Sequence, residues 1–151
     1  MCSSDLVIPA DWTDYNGHTN DSRYSQLSSE ASDCFFRSIG FTDAYLASGR
    51  TFYTVESHIR FLDQTHQGDK VKVMVTVASY DEKRIHLWTE IVREDGVVAA
   101  TGEHLFLHVD TKTGKTSPMG AEMLAALKPI GDAHAKLPKP VGIGRRVGEK
   151  P

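Results

Sequence analysis

The chain has 151 residues, the length of one compact domain rather than a string of modules. With 40% hydrophobic and 25% charged residues it can bury a core without metal or disulfide staples, which excludes disorder as its main state. Lys and Arg number 17 against 20 Asp and Glu, a net charge of −3, too balanced for a protein whose business is gripping nucleic acid or an anionic membrane.

Apolar runs such as residues 97–100 fall far short of the roughly 20 that cross a bilayer. Residues 1–6 have neither the basic start nor the apolar stretch of a secretory signal, so a cytoplasmic protein is expected. Cys2 and Cys34 lack metal-ligand spacing, no disulfide framework is expected, and Cys34 reads as a small buried side chain.

In chain order, a short strand at 6–9 opens the sequence. A dense loop follows, Asp11-Trp12-Thr13-Asp14-Tyr15-Asn16-Gly17-His18-Thr19-Asn20. Residues 20–37 then place Tyr24, Leu27, Ser28, Ala31, Cys34 and Phe35 on one helical stripe, with Thr19 or Asn20 as N-cap and Gly40 as stop. A short helical piece at 42–47 ends at Gly49. From there the period becomes 2. Strands are expected at 51–62, with Tyr53, Val55, Ser57, Ile59 and Phe61 as the apolar face, and at 70–80, 84–93 and 97–110. Short turns at 66–69, 81–83 and 94–96 make neighbouring strands antiparallel. Two terminal helical pieces, 122–127 and 130–135, are separated by Pro129. Residues 136–151, holding three of the six prolines, form a tail beyond a domain of residues 1–135. This order is an α+β layout in which one long helix covers a curved sheet.

The loop before the helix carries the chemistry. A carboxylate, backbone N–H groups at a helix start and aromatic walls are what acyl transfer needs. The same residues could equally form a solvated turn in which Asp and Asn bond their own backbone and cap the helix. His86, His104 and His108 read as satisfied sheet histidines, and no metal or cofactor site is recognisable. Phosphate-binding glycine loops, nucleophile elbows and Cys-His pairings are also missing from the sequence.

The segment Asp14-Tyr15-Asn16-Gly17-His18-Thr19-Asn20 with Tyr24 resembles the D-x-x-G-H-x-N-x-x-x-Y signature of the 4-hydroxybenzoyl-CoA thioesterase-like branch of hotdog-fold enzymes. The phrase Tyr53-Thr54-Val55-Glu56-Ser57-His58-Ile59-Arg60 and the Gly68-Asp69 turn extend the likeness, which runs over residues 6–110. Within that branch, Trp12-Thr13-Asp14, Lys83-Arg84-Ile85-His86-Leu87 and Leu107-His108-Val109-Asp110-Thr111 are similar to the betainyl-CoA thioesterases, a group also found fused to L-carnitine dehydrogenases. The resemblance implies a hotdog fold, an antiparallel sheet wrapped around a central helix, and a cofactor-independent acyl-CoA thioesterase of carnitine metabolism releasing glycine betaine and CoA. It assigns Asp14 as nucleophile or general base, with His18 and Asn20 completing the catalytic loop. Trp12, Tyr15, Gly17, Tyr24, Tyr53 and Glu56 would bind substrate, rings and a carboxylate being what a quaternary ammonium requires. Arg60, Lys83 and Arg84 are candidates for CoA phosphates. A homodimer or dimer of dimers is implied. The rivals are a hotdog enoyl-CoA hydratase, against which Gly17 and the early His18 count, and a non-catalytic ligand-binding module.

Overall fold

The computed structural model describes residues 5–150, so Cys2 lies outside the described residues. The elements run β1 (Leu6–Val7), a 3₁₀ turn (Ala10–Trp12), α1 (Asp21–Ser38), α2 (Asp43–Ala47), β2 (Arg50–Phe61), β3 (Lys70–Tyr80), β4 (Arg84–Arg93), β5 (Val98–Asp110), β6 (Lys115–Thr116) and α3 (Ala121–His134). The sheet order is β1-β3-β4-β5-β2, with β6 added to β5. β1 pairs antiparallel with β3, and β6 with β5. The helix and four long strands stand within a residue or so of their expected positions. β6 was not foreseen, being only two residues long.

Pro129 does not split the last helix. It sits inside α3, and both it and Ala125, whose carbonyl loses its partner four residues on, are exposed, so water satisfies the freed oxygen.

Contacts divide the chain into two units, residues 1–35, 59–75 and 89–102, and residues 36–58, 76–88 and 103–151. In the first unit, α1 buries Tyr24, Leu27, Ser28, Ala31, Ser32 and Phe35. Small residues in that stripe allow close approach. The Ser28 hydroxyl lies 3.1 Å from the Thr89 hydroxyl of β4, and Ser32 Oγ donates back to the Ser28 carbonyl at 2.8 Å. Val71, Val73 and Val75 of β3 and Ile91 of β4 supply the apolar floor. Cys34 departs from expectation: it is exposed and disulfide-bonded rather than buried. The buried arc instead includes Ser32, one turn on from Ser28.

The second unit has an aromatic core. Phe36 stacks on Phe52 at 4.4 Å and meets Phe106 edge-on at 4.8 Å. Phe52 and Ser57 both reach the side of β2 that faces His108, Phe106 and His104. Residues five apart on a regular strand face opposite ways, so one residue of β2 falls out of alternation between them. The expected apolar face of β2 is also less buried than its pattern implies. Tyr53, Val55 and Phe61 remain 49%, 50% and 54% exposed, because β2 ends the sheet order and, among the described residues, carries no strand on its far side.

α3 docks onto β3 through two contacts. The Val77 N–H donates to His134 Nδ1 at 2.9 Å, and a Cβ placed on Gly131 would come within 2.3 Å of Tyr80 Cε1.

Candidate active site

The loop ahead of α1 is a small hairpin built on Asp14. Thr13 and Thr19 form an antiparallel bridge, Asp14 N donates to His18 O at 2.7 Å, and Gly17 N donates to Asp14 O at 3.0 Å. The turn needs a left-handed residue, which Gly17 supplies at φ 75°. Asp14 Oδ1 accepts from Asn16 N at 2.8 Å and His18 N at 3.2 Å, while Oδ2 takes no bond among the described residues. One carboxylate oxygen is therefore pinned by the backbone and the other is available.

Asn20 closes the loop at the helix start. Its N–H donates to Trp12 O at 2.8 Å, and its Oδ1 accepts from Ser22 N at 3.0 Å and Ser22 Oγ at 2.8 Å. The Arg23 N–H is held by Asn20 O at 2.9 Å. The N–H groups expected to receive an oxyanion at this helix start are thus partly taken by Asn20 itself. Trp12 is half-buried with the Arg23 guanidinium 5.3 Å over its ring, whereas Tyr15 is 97% exposed.

Underneath lies a closed circuit of hydroxyls. Thr65 N donates to Tyr24 Oη (3.2 Å), and Thr65 Oγ1 donates to Thr19 Oγ1 (2.6 Å), which in turn donates to Thr65 O (3.1 Å). With those donors fixed, the 2.9 Å contact between Tyr24 Oη and Thr65 Oγ1 runs from the tyrosine. All three residues are buried. Thr19 N also donates to Thr65 O at 2.8 Å, and His18 bridges to His66 with the two rings edge-on at 5.1 Å. Gly68 N and Ile8 O, with Ile8 N and Asp69 O, tie the following turn to the residue after β1. Tyr24 is accordingly the post under the Asp14 loop.

In the second unit, β2, β4, β5 and the C-terminal tail border a half-open cavity of about 550 Å³ lined by Glu56, His58, His86, Glu103, Leu105 and Arg145 among others. Glu103 and Leu105 alternate with His104 and Phe106, so the cavity lies on the side of β5 away from Phe36. Glu103 bonds His86 Nε2 at 2.9 Å through Oε1 and accepts Gly144 N at 2.8 Å through Oε2, which fastens the tail. Elsewhere, His108 Nδ1 meets the Ser117 carbonyl at 2.7 Å and must carry the proton, leaving Nε2 to accept from the Tyr45 hydroxyl at 2.6 Å. Burial holds the pKa of both His104 and His108 below the usual imidazole value, in keeping with a neutral His108.

The sequence profile described as the thioesterase-like superfamily matches residues 8–127. The chain belongs to that superfamily. Over 147 residues it is 46% identical to an L-carnitine dehydrogenase/betainyl-CoA thioesterase of Rhizobium meliloti, covering 97% of this chain and 30% of that one. A betainyl-CoA thioesterase of Pseudomonas aeruginosa is 34% identical over 147 residues, covering 96% of this chain and 92% of that one. A Staphylococcus aureus protein solved in complex with CoA superimposes with a TM-score of 0.92 at 21% identity, covering 98% of this chain and 94% of that one. The fold of this thioesterase-superfamily member is the hotdog α+β fold.

The structure gathers Trp12, Asp14, Gly17, His18, Asn20 and Tyr24 in one unit, together with half-buried Arg60. Tyr53, Glu56, Lys83 and Arg84 belong to the other. Arg84 is engaged by Asp81, with Nε at 2.7 Å and Nη2 at 2.6 Å, and that hydrogen bond holds the Asp81 carboxyl below its usual pKa. Two other rings of that unit are engaged, Tyr45 under Arg50 and Phe52 in the core stack. Thr65, His66 and Glu103 were missed. Thr65 sits in an unpatterned connection, and nothing in its neighbours marks it.

Proposed function

We propose that the chain hydrolyses a short acyl-CoA, betainyl-CoA to glycine betaine and CoA, within carnitine degradation. The observation that carries this reading is the Asp14 carboxylate, with Oδ1 pinned by two N–H groups and Oδ2 free. Oδ2 can attack the thioester carbon, expelling the CoA thiolate and leaving a mixed anhydride that water opens. Alternatively it takes a proton from water, whose oxygen attacks the same carbon before the thiolate leaves. Gly17 permits the turn, His18 and Asn20 hold its two ends, and Tyr24 supports it. Trp12, Tyr15, Tyr53 and Glu56 are assigned to substrate, and Arg60, Lys83 and Arg84 to CoA phosphates. Arg84 reaches a phosphate only by exchanging Asp81 for it.

The curated bifunctional relative is about three times longer, since this chain spans 30% of it, so the reading concerns the thioesterase portion. A homodimer or dimer of dimers is part of the proposal. β2 pairs with β5 on one edge only among the described residues, Tyr53, Val55 and Phe61 on it and Leu62 just after it are about half exposed, and pairing with a second copy would cover the free edge. We place the protein in the cytoplasm and its domain boundary after residue 135. No helix among the described residues is long and apolar enough to cross a membrane.

Asp14→Asn is the test. It keeps the acceptor at Oδ1 and replaces the attacking oxygen, so thiol release from betainyl-CoA should fall by roughly 10²–10⁴-fold with the far-UV spectrum unchanged. Undiminished release by the folded variant removes Asp14 from the mechanism. Loss of the enoyl chromophore of crotonyl-CoA without thiol release would instead make the protein a hydratase. Binding of acyl-CoA with neither change would make it a binding module.

A further inference from the structure

The cavity under the tail contains an electrostatic mismatch. Glu56 lines its open side as an exposed residue and forms no hydrogen bond or ion pair among the described residues. Arg145 lines it too, and its Nε is a buried donor without a partner. A carboxylate and a guanidinium share one cavity of about 550 Å³, within the size range of small-molecule sites, yet form no salt bridge with each other. Glu103 makes no bond to Arg145; its two oxygens hold His86 and the Gly144 N–H instead. Orphaned donors of this kind are rare in folded proteins and call for a reason.

A ligand bearing both signs of charge supplies one. Its carboxylate would take the Arg145 donors, and its cation would lie against Glu56. Among the other lining residues, Leu105 and Val147 offer apolar surface suited to methyl groups, and His58 and His86 offer rings. A quaternary ammonium fits this mixture better than a primary one, since it has no N–H to satisfy and makes its contacts through methyls. We propose that the tail-roofed cavity binds a compact zwitterion of this class, a quaternary ammonium joined to a carboxylate. The choice of the quaternary group rests on the thioesterase reading above, in which the released acid is such a molecule. The charge pattern, Glu56 on a strand and Arg145 on the tail, does not rest on it. The tail then acts as the roof that brings the anion-binding half of the site, with the Gly144–Glu103 bond as its fastening.

The test is titration of the intact protein with four probes by calorimetry: glycine betaine, its carbon isostere 3,3-dimethylbutyrate, tetramethylammonium and glycine. Glycine betaine should bind saturably, and each of the other three about tenfold or more weakly. Glu56→Gln and Arg145→Gln should each weaken glycine betaine by about tenfold, and on its addition the Arg145 Nε–H resonance should shift in the unmodified protein. No saturable binding, or equal binding of 3,3-dimethylbutyrate, overturns the site. Glycine binding more tightly than glycine betaine overturns the quaternary class. Thiol release from betainyl-CoA is followed on the same preparation. Release without glycine betaine binding sinks this proposal and leaves the hydrolysis reading standing, and binding without release does the reverse.

Discussion

Tyr24→Phe tests whether the hydroxyl circuit under the Asp14 loop holds that loop. The substitution keeps the ring, which meets Phe61 edge-on at 5.5 Å, and deletes only the oxygen. Thr65 N loses its acceptor and Thr65 Oγ1 loses its donor, both in a site where Thr65 is 0% exposed. A buried donor left without a partner costs about 1–3 kcal/mol. For a domain of this size each kcal/mol moves Tm by roughly 2–4 °C, so a fall of about 2–12 °C is expected. The assay is urea unfolding at fixed protein concentration, with the m-value checked for constancy, alongside Thr65→Val and the double variant. Because the two side chains share one circuit, the cycle should show a coupling of at least about 0.5 kcal/mol. Thr19 N and the His18–His66 bridge depend on the same segment, so thiol release should also drop, by about tenfold, as Asp14 loses its fixed orientation. A loss of stability below about 0.5 kcal/mol with normal turnover would refute the reasoning.

Gly131→Ala drives a Cβ to within 2.3 Å of Tyr80 Cε1, so α3 must shift or Tyr80 must swing out, and chemical denaturation should show a loss of about 1–3 kcal/mol. Burial lowers the folded pKa of His104, His108 and His134 below the unfolded value of about 6.5. Their contribution is therefore complete above that pH and is lost as pH falls through the lower folded values, so Tm should decline as pH falls below about 6.5, where a flat profile would contradict the shifts. His134→Gln, whose amide oxygen can still accept the Val77 N–H, should make that decline shallower. Val55→Lys places a charge on the half-exposed edge of β2, and sedimentation should show the proposed dimer giving way to monomer, with an unchanged mass ruling that edge out as the interface.

The long elements were legible because each carries its signal within itself. β3 alternates Val71, Val73, Val75 and Val77 with polar neighbours, and all four valines are buried. The α1 stripe was read correctly at Tyr24, Leu27, Ser28, Ala31 and Phe35, but Cys34 broke the pattern because chemistry, a disulfide, overrode the burial tendency of a free thiol. Pro129 misled for a related reason. Its penalty depends on whether the carbonyl it orphans is dry, and sequence does not say which side of α3 meets water. The doubt over β2 is also physical, since alternation reports which face a residue takes, whereas exposure depends on whether another strand follows.

Range along the chain decides the same question at the sites. Asp14 is held by N–H groups two and four residues ahead, so the loop's own residues contain its geometry: Asp14 bonds its own backbone, as in the solvated-turn reading, and keeps one oxygen free. Tyr24 draws its role from Thr65, 41 residues away, and Thr19 from the same residue at 46. Glu103 meets its second partner 41 residues on, through a glycine N–H that has no side chain to advertise it. A tail rich in proline and glycine reads as unstructured when its bonds are made by backbone to a distant carboxylate. Distant polar partners of this kind leave no periodic trace, and they are what turns the strand face beside Glu56 into one wall of a half-open cavity.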